Sequence, residues 1–153
     1  MDVLSLEQRR LNMSRIRSRD TAPEVLIRRG LHAAGFRFRL HQRHLPGRPD
    51  LVLPRYRTVI FVNGCFWHSH GCHISRLPDT RREYWQPKLD RTLQRDRDAA
   101  HALRLAGWRV VVVWECALRG RVRLAEGAAL AQISAFVRDC TDPLLSTAGG
   151  LAT

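Results

Sequence analysis

Apolar residues fall into short blocks along this chain, some with the period of a helix and some with that of a strand, and charged residues fill the gaps. Residues 1 to 20 are polar and strongly basic, with Arg9, Arg10, Arg15, Arg17 and Arg19 around Asn12 and Met13. That composition describes an arm that orders on DNA, with a frayed, solvated terminus as the plain alternative. Thr21-Ala-Pro-Glu24 then supplies a capping hydroxyl, a proline in the first turn and an acid at the positive end of the helix dipole. It predicts a helix to Gly35 that buries Val25, Ile27, Leu31 and Ala34. Phe36, Phe38 and Leu40 alternate with Arg37 and Arg39, the period of a half-buried strand. Beyond the turn Leu45-Pro-Gly-Arg-Pro49, Asp50 to Leu53 and Thr58 to Val62 read as the two strands of a hairpin across Pro54-Arg-Tyr-Arg57.

A further helix begins between Thr80 and Tyr84 and carries Trp85. Pro87 should break it or open a new helix, which continues through Leu89, Leu93, Ala100 and Leu103 to a stop at Gly107. Trp108 to Trp114 is nearly continuous in β-branched residues, as in a strand buried on both faces. A last helix is expected from about Leu124 to Val137, and Thr141 onward reads as a loose tail. This order predicts a mixed α/β fold, a small central sheet with helices on both sides. The expected division is a basic arm over 1–20, one folded domain over 21–140 and a flexible tail over 141–153.

Charge narrows the partner. The 26 basic residues against 14 acidic give a formal net charge of +12, and all the basic residues except Lys88 are arginine. Each phosphate contact releases condensed counterions and guanidinium binds phosphate in a bidentate way, so a nucleic acid is the expected partner. A membrane surface or a ribosomal neighbour would also accept this charge, but no long amphipathic basic helix with a broad apolar face stands out. The start of the chain lacks the pattern of a signal peptide and no run is long enough to span a bilayer, which predicts a cytoplasmic protein. In a reducing compartment, clustered cysteines among Cys65, Cys72, Cys116 and Cys140 are more often metal ligands than disulfides.

Asn63 to His73 concentrates the chemistry: two cysteines, three of the seven histidines and an adjacent Phe-Trp pair follow directly on the apolar run Thr58 to Val62. Tetrahedral zinc takes four N or S ligands. Cys65, Cys72 and Cys116 supply three, and one of His68, His70 or His73 the fourth. Such a closed zinc leaves no position for substrate, so hydrolysis would need other groups. Asp50 and Glu24 are the carboxylates suited to magnesium, although spacing alone does not choose between Asp50 and Asp96. A histidine not bound to zinc, most naturally His68, is then the candidate general base.

Leu45 to Asp50, Val59-Ile-Phe-Val-Asn-Gly-Cys-Phe-Trp-His68, Arg81-Arg-Glu-Tyr-Trp85 and Trp108 to Gly120 together resemble the very short patch repair (Vsr) DNA mismatch endonucleases, over about Asn12 to Arg123 and in the same order. The resemblance implies a restriction-endonuclease-like fold of the PD-(D/E)xK type. It implies a magnesium-dependent nick on the 5′ side of the thymine in a T:G mismatch, the product of 5-methylcytosine deamination. By position, Asp50 would hold magnesium with the backbone carbonyl of Val62, Glu24 would orient water, and His68 would be the base. Structural zinc would sit on Cys65, His70, Cys72 and Cys116. Phe66, Trp67 and Trp85 would wedge into the duplex, with Met13 and Lys88 near the mismatch. The expected protein is a monomer with no membrane partner, nucleoid-associated when on DNA; contacts with other repair proteins are compatible with that reading, but the sequence does not specify them. The chain departs from the family pattern at Val62, where threonine is best known, at Asn63, where histidine is frequent, and at Thr92, a position that can carry asparagine. A module that binds distorted DNA without cutting it is the alternative.

Overall fold

The computed structural model describes residues 5–15, 20–72, 75, 77–139 and 141–148. A helix α1 (Leu6–Arg15) precedes α2 (Ala22–Ala33), a short edge strand β1 (Arg39–Leu40) and the hairpin of β2 (Leu51–Leu53) and β3 (Thr58–Asn63). The long helix α3 (Arg82–Leu105) leads to β4 (Arg109–Trp114), followed by α4 (Glu115–Leu118), α5 (Ala128–Asp139) and β5 (Leu144–Thr147). The five strands form one mixed sheet in the order β1-β2-β3-β4-β5. Neighbours are antiparallel from β1 to β3 and parallel from β3 to β5.

The two-residue period of the strands divides the core into two layers. Leu51, Leu53, Ile60, Val111 and Val113 face Ile27 and Leu31 of α2 and Ile133, Phe136 and Val137 of α5. Val52, Val59 and Val110 face the other way, against Leu103 of α3. β4 is thus covered on both faces, as its unbroken valine run predicts, and helices lie on both sides of the sheet. Arg109 fastens the start of β4 to the end of α5, donating to the carbonyls of Phe136 and Val137, where a cation offsets the negative end of the helix.

Five expectations are corrected. α3 runs unbroken through Pro87. The proline removes a single bond near the start of the helix and costs about 3 kcal/mol. Burial of Trp85 and Leu89 on either side of it, at about 2 kcal/mol or more each, is enough to offset that. The segment after Thr141 is no loose tail, because β5 pairs in parallel with β4 and closes the sheet. The strand predicted over Phe36 to Leu40 shrinks to Arg39–Leu40 with Leu40 exposed, although Phe36 is buried. On α2, Ile27 and Leu31 are buried as expected, but Val25 is half-buried and Ala34 exposed, while Glu24 is 2% exposed. α2 begins as predicted, with Thr21 accepting the Glu24 N–H, and stops at Gly35 in left-handed backbone. The last helix begins at Ala128 instead of Leu124.

Candidate functional site

Antiparallel pairing of β2 with β3 sets the start of β2 beside the end of β3, and parallel pairing brings the end of β4 to the same edge. Asp50, one residue before β2, accepts the backbone N–H of Val62 through Oδ2 at 2.7 Å. A cavity of about 570 Å3 opens there, lined among others by His41, Asp50, Val62, Asn63, His68 and Asp96. Gly47 makes the shape of this wall possible. It sits in left-handed backbone, and a β-carbon there would lie 2.8 Å from that of Ala99 and 3.1 Å from the Phe61 ring.

Each of the two histidines at the cavity is paired with an acid. His68 Nδ1 lies 2.6 Å from Asp96 Oδ2, which leaves Nε2 for the cavity. Glu24 Oε1 lies 2.5 Å from His41 Nε2, and Oε2 accepts the Asp20 N–H at 2.9 Å. His41 lines the cavity and Glu24 does not. Burial pushes the Asp50 carboxyl up to about 6. The Val62 N–H opposes this, the charge of Glu24 adds to it, and His41 and His68 draw it back down. The surroundings therefore disfavour the charged form of Asp50 relative to water, and a cation placed beside it would offset that cost.

Beyond the ends of β3 and β4 a second cluster closes on itself. One ligand atom each from Cys65, His70, Cys72 and Cys116 lie within 4.8 Å of one another, a donor set that fits a tetrahedral soft cation. Cys65 and Cys116 are buried, and Cys116 Sγ lies 3.5 Å from His70 Nδ1. The turn that brings these groups together is held by the His70 N–H on the Cys65 carbonyl. His70 also stacks on Trp114, with ring centres 4.1 Å apart. Burial pushes the Cys65 thiol up and the His70 imidazole down. His73, the third histidine considered for this cluster, lies outside the described residues, as does Cys140.

The aromatics of the same loop gather against α3. Phe66, Trp67 and Trp85 meet edge to face, with centroids 5.0 to 5.8 Å apart. Trp85 is buried, and the Lys88 ammonium lies over Trp67, Tyr84 and Trp85 at 5.5 to 5.7 Å. From there a groove lined by Tyr84, Lys88, Arg91, Thr92 and Arg95 runs along α3. Met13 belongs to α1, but its side chain lies outside the described residues.

The structure brings Asp50 and His68 to one cavity and gathers Cys65, His70, Cys72 and Cys116 in a separate cluster. Asp96, undecided from spacing, joins the cavity through His68. His41 and Tyr84 were not foreseen. His41 carries no motif signal, whereas Tyr84 is announced only by its neighbour Trp85. A larger cleft of about 850 Å3 lies by Leu26, Leu118 and Leu130, but it contains one carboxylate, Glu126, and no histidine. It lacks the acid–histidine pairing that hydrolysis requires.

The chain is similar to known proteins. A family model described as DNA mismatch endonuclease Vsr matches residues 1–74. The chain is 46% identical over 142 residues to the type II nicking enzyme V.XorIIP of Xanthomonas oryzae pv. oryzae, covering 93% of this chain and 98% of that protein. It is 43% identical over 136 residues to the DNA mismatch endonuclease Vsr of Escherichia coli, covering 89% and 87%. It is 35% identical over 141 residues to the type II nicking enzyme V.NmeAIP of Neisseria meningitidis, covering 92% and 97%.

Proposed function

The chain belongs to the Vsr DNA mismatch endonuclease family and is a DNA-nicking endonuclease, and from that premise we propose that it makes a magnesium-dependent, strand-specific nick on the 5′ side of the thymine in a T:G mismatch. The observation that carries this reading is the meeting of Asp50, the Val62 backbone and the His68–Asp96 pair around one open cavity at the end of the sheet. A restriction-endonuclease-like fold is consistent with the mixed sheet and with an acid at the start of β2.

The oxygen donors of Asp50 and the Val62 carbonyl fit a hard cation such as magnesium, which takes one or two carboxylates and keeps several waters. When bound, magnesium supplies positive charge against the phosphate as the phosphorus–oxygen bond is exchanged. Asp96 fixes the His68 ring so that Nε2 can take a proton from the attacking water. Glu24 adds a second carboxylate close enough to Asp50 to raise its pKa.

Zinc on Cys65, His70, Cys72 and Cys116 would pin the loop that carries Phe66, Trp67 and His68 to the end of β4. The aromatic cluster then stands beside the cavity, with Lys88 and the basic groove of α3 placed to follow a phosphate backbone. Unstacking a base step costs a few kcal/mol and is cheapest at a mismatch, so a wedge of this kind favours T:G over paired DNA. The basic arm before Asp20 would add phosphate contacts.

A labelled duplex panel with and without magnesium tests the reading. We expect a nick in one strand of the T:G duplex, 5′ to the thymine, only when the metal is present. Retention of that duplex without a nick, or equal cutting of paired DNA, would overturn it.

A further inference from the structure

The residues assigned to the reaction leave one histidine of the cavity without a role. His41 follows β1 in left-handed backbone, with φ at 48°, a conformation disfavoured for a residue with a β-carbon. Its backbone N–H donates to the Asp50 carbonyl oxygen at 3.1 Å. Its ring, through Nε2, lies 2.5 Å from Glu24 Oε1. One residue therefore touches both acids, the first through its main chain and the second through its imidazole.

Glu24 is 2% exposed and its remaining contacts are made elsewhere. Oε2 takes the Asp20 N–H, and the Arg28 guanidinium lies 3.6 Å from Oε1 and 2.6 Å from Asp20 Oδ1. Asp20, Glu24 and His41 could be taken for a cation site, since their ligand atoms lie within 4.8 Å of one another. A guanidinium already placed against both carboxylates opposes a further cation there. The arrangement fits a different task, the fixing of one buried carboxylate from three directions, and only His41 among its partners faces the cavity.

Resting on the magnesium-dependent nicking proposed above, we infer that His41 is a positioning residue for that reaction: it stands between Glu24 and the Asp50 cavity, and Glu24 acts on the cavity through it. The cavity then has a carboxylate–histidine pair on each side, Asp96 with His68 and Glu24 with His41. Each histidine presents a ring edge whose orientation is set by an acid behind it, as second-layer carboxylates orient ligating imidazoles.

A double-mutant cycle on full-length protein tests this, with single-turnover nicking of the T:G duplex as one readout and binding to the same duplex in EDTA as the other. His41→Ala and Glu24→Gln should each lower the nicking rate by tenfold or more and leave binding in EDTA within about twofold, and the double variant should be no slower than the worse single one. His41→Gln, whose amide can still donate to Glu24, should recover most of the rate. A multiplicative loss in the double variant, a wild-type rate in His41→Ala, or equal losses of binding and rate would each overturn the assignment. The contact is read separately in metal-free protein, where Glu24→Gln should move the His41 ring-nitrogen NMR signals and leave those of His101 in place; unmoved signals would also overturn it. Wild-type protein that leaves the T:G duplex uncut would instead defeat the reading of function.

Discussion

Two polar clusters share the loop that follows β3, and they differ in what their side chains face. Around Cys65 the donors converge on one another, with Cys65 and Cys116 at 0% and 1% exposure. Around Asp50 the histidines are each paired with an acid and look onto about 570 Å3 of open space. Donors turned inward complete their own shell and brace the chain. Donors turned outward leave room for a substrate. The short segment from Cys65 to Cys72 contributes to both, which is why it reads as one crowded mixture in the sequence and separates into two in space.

Breaking the closed cluster should have the larger effect. Removal of one thiol leaves three donors for the proposed zinc, and in small zinc sites metal binding, at about 10 kcal/mol or more, is also folding free energy. Cys72→Ala should lose zinc and melt well below the wild type, and a strong chelator should do the same to the parent protein. A variant found metal-free by elemental analysis with an unchanged melting temperature would sink the bracing role.

The open cluster should answer a mutation in the opposite sense. Asp50→Asn removes the acid expected to hold magnesium, a loss of several kcal/mol in the transition state, or on the order of a thousandfold in rate. Stability of the metal-free protein should rise. Burial lifts the Asp50 pKa from 3.8 to about 6, so between those values the folded state holds a proton that the unfolded chain has released. Stability linked to this group is therefore full below pH 4 and lost as pH rises through 6. An asparagine can still accept the Val62 N–H and avoids the charge, so it should be more stable than aspartate at pH 7 by up to about 3 kcal/mol, with the gap closing below pH 4. Melting curves across that range decide it, and a variant less stable than wild type at pH 7 would contradict the stated environment.

What could be foreseen divides along the same line. Periodicity marks residues whose burial comes from local pattern, and it located α2, the β2–β3 hairpin and the double-faced β4. It could not see β5, since Leu144-Leu-Ser-Thr147 carries no alternation and becomes a strand only because β4 offers it an open edge. Pro87 misled for a similar reason: its local cost is outweighed by the burial of Trp85 and Leu89. In the site, Cys65, His70 and Cys72 stand close in sequence, so their chemistry shows at a glance. His41 and Asp96 pair with residues 17 and 28 positions away, and no spacing rule reports such pairs.

Phe66 and Trp67 stand in sequence between Cys65 and His68, and the aromatic cluster that they form with Trp85 should respond on a smaller scale. Trp67 packs against Phe66, Trp85 and Lys88, so its ring is placed before any DNA arrives. Stacking of an aromatic on a base is worth about 1–3 kcal/mol. Trp67→Ala should therefore cut the preference for T:G over paired duplex by roughly tenfold while overall affinity, dominated by phosphate contacts, falls less. Titration of both duplexes at a fixed salt concentration measures the ratio, and equal losses on the two would remove the wedge from the account.

Asn63 tests how far the open cluster extends. It ends β3, is 8% exposed and lines the same cavity as Asp50 and His68. An amide neither gains nor loses a proton near neutral pH, so it cannot share the work of the His68–Asp96 pair; it can only orient water or a phosphate oxygen through hydrogen bonds. One neutral hydrogen bond is worth about 1 kcal/mol net, which corresponds to roughly a fivefold change in rate. Asn63→Ala should therefore slow the nick by about that factor with no change in its pH profile, whereas His68→Ala should alter both rate and profile. A hundredfold loss at Asn63 would mean that the amide touches the reacting phosphate, and the open cluster would then include the end of β3 as well as the start of β2.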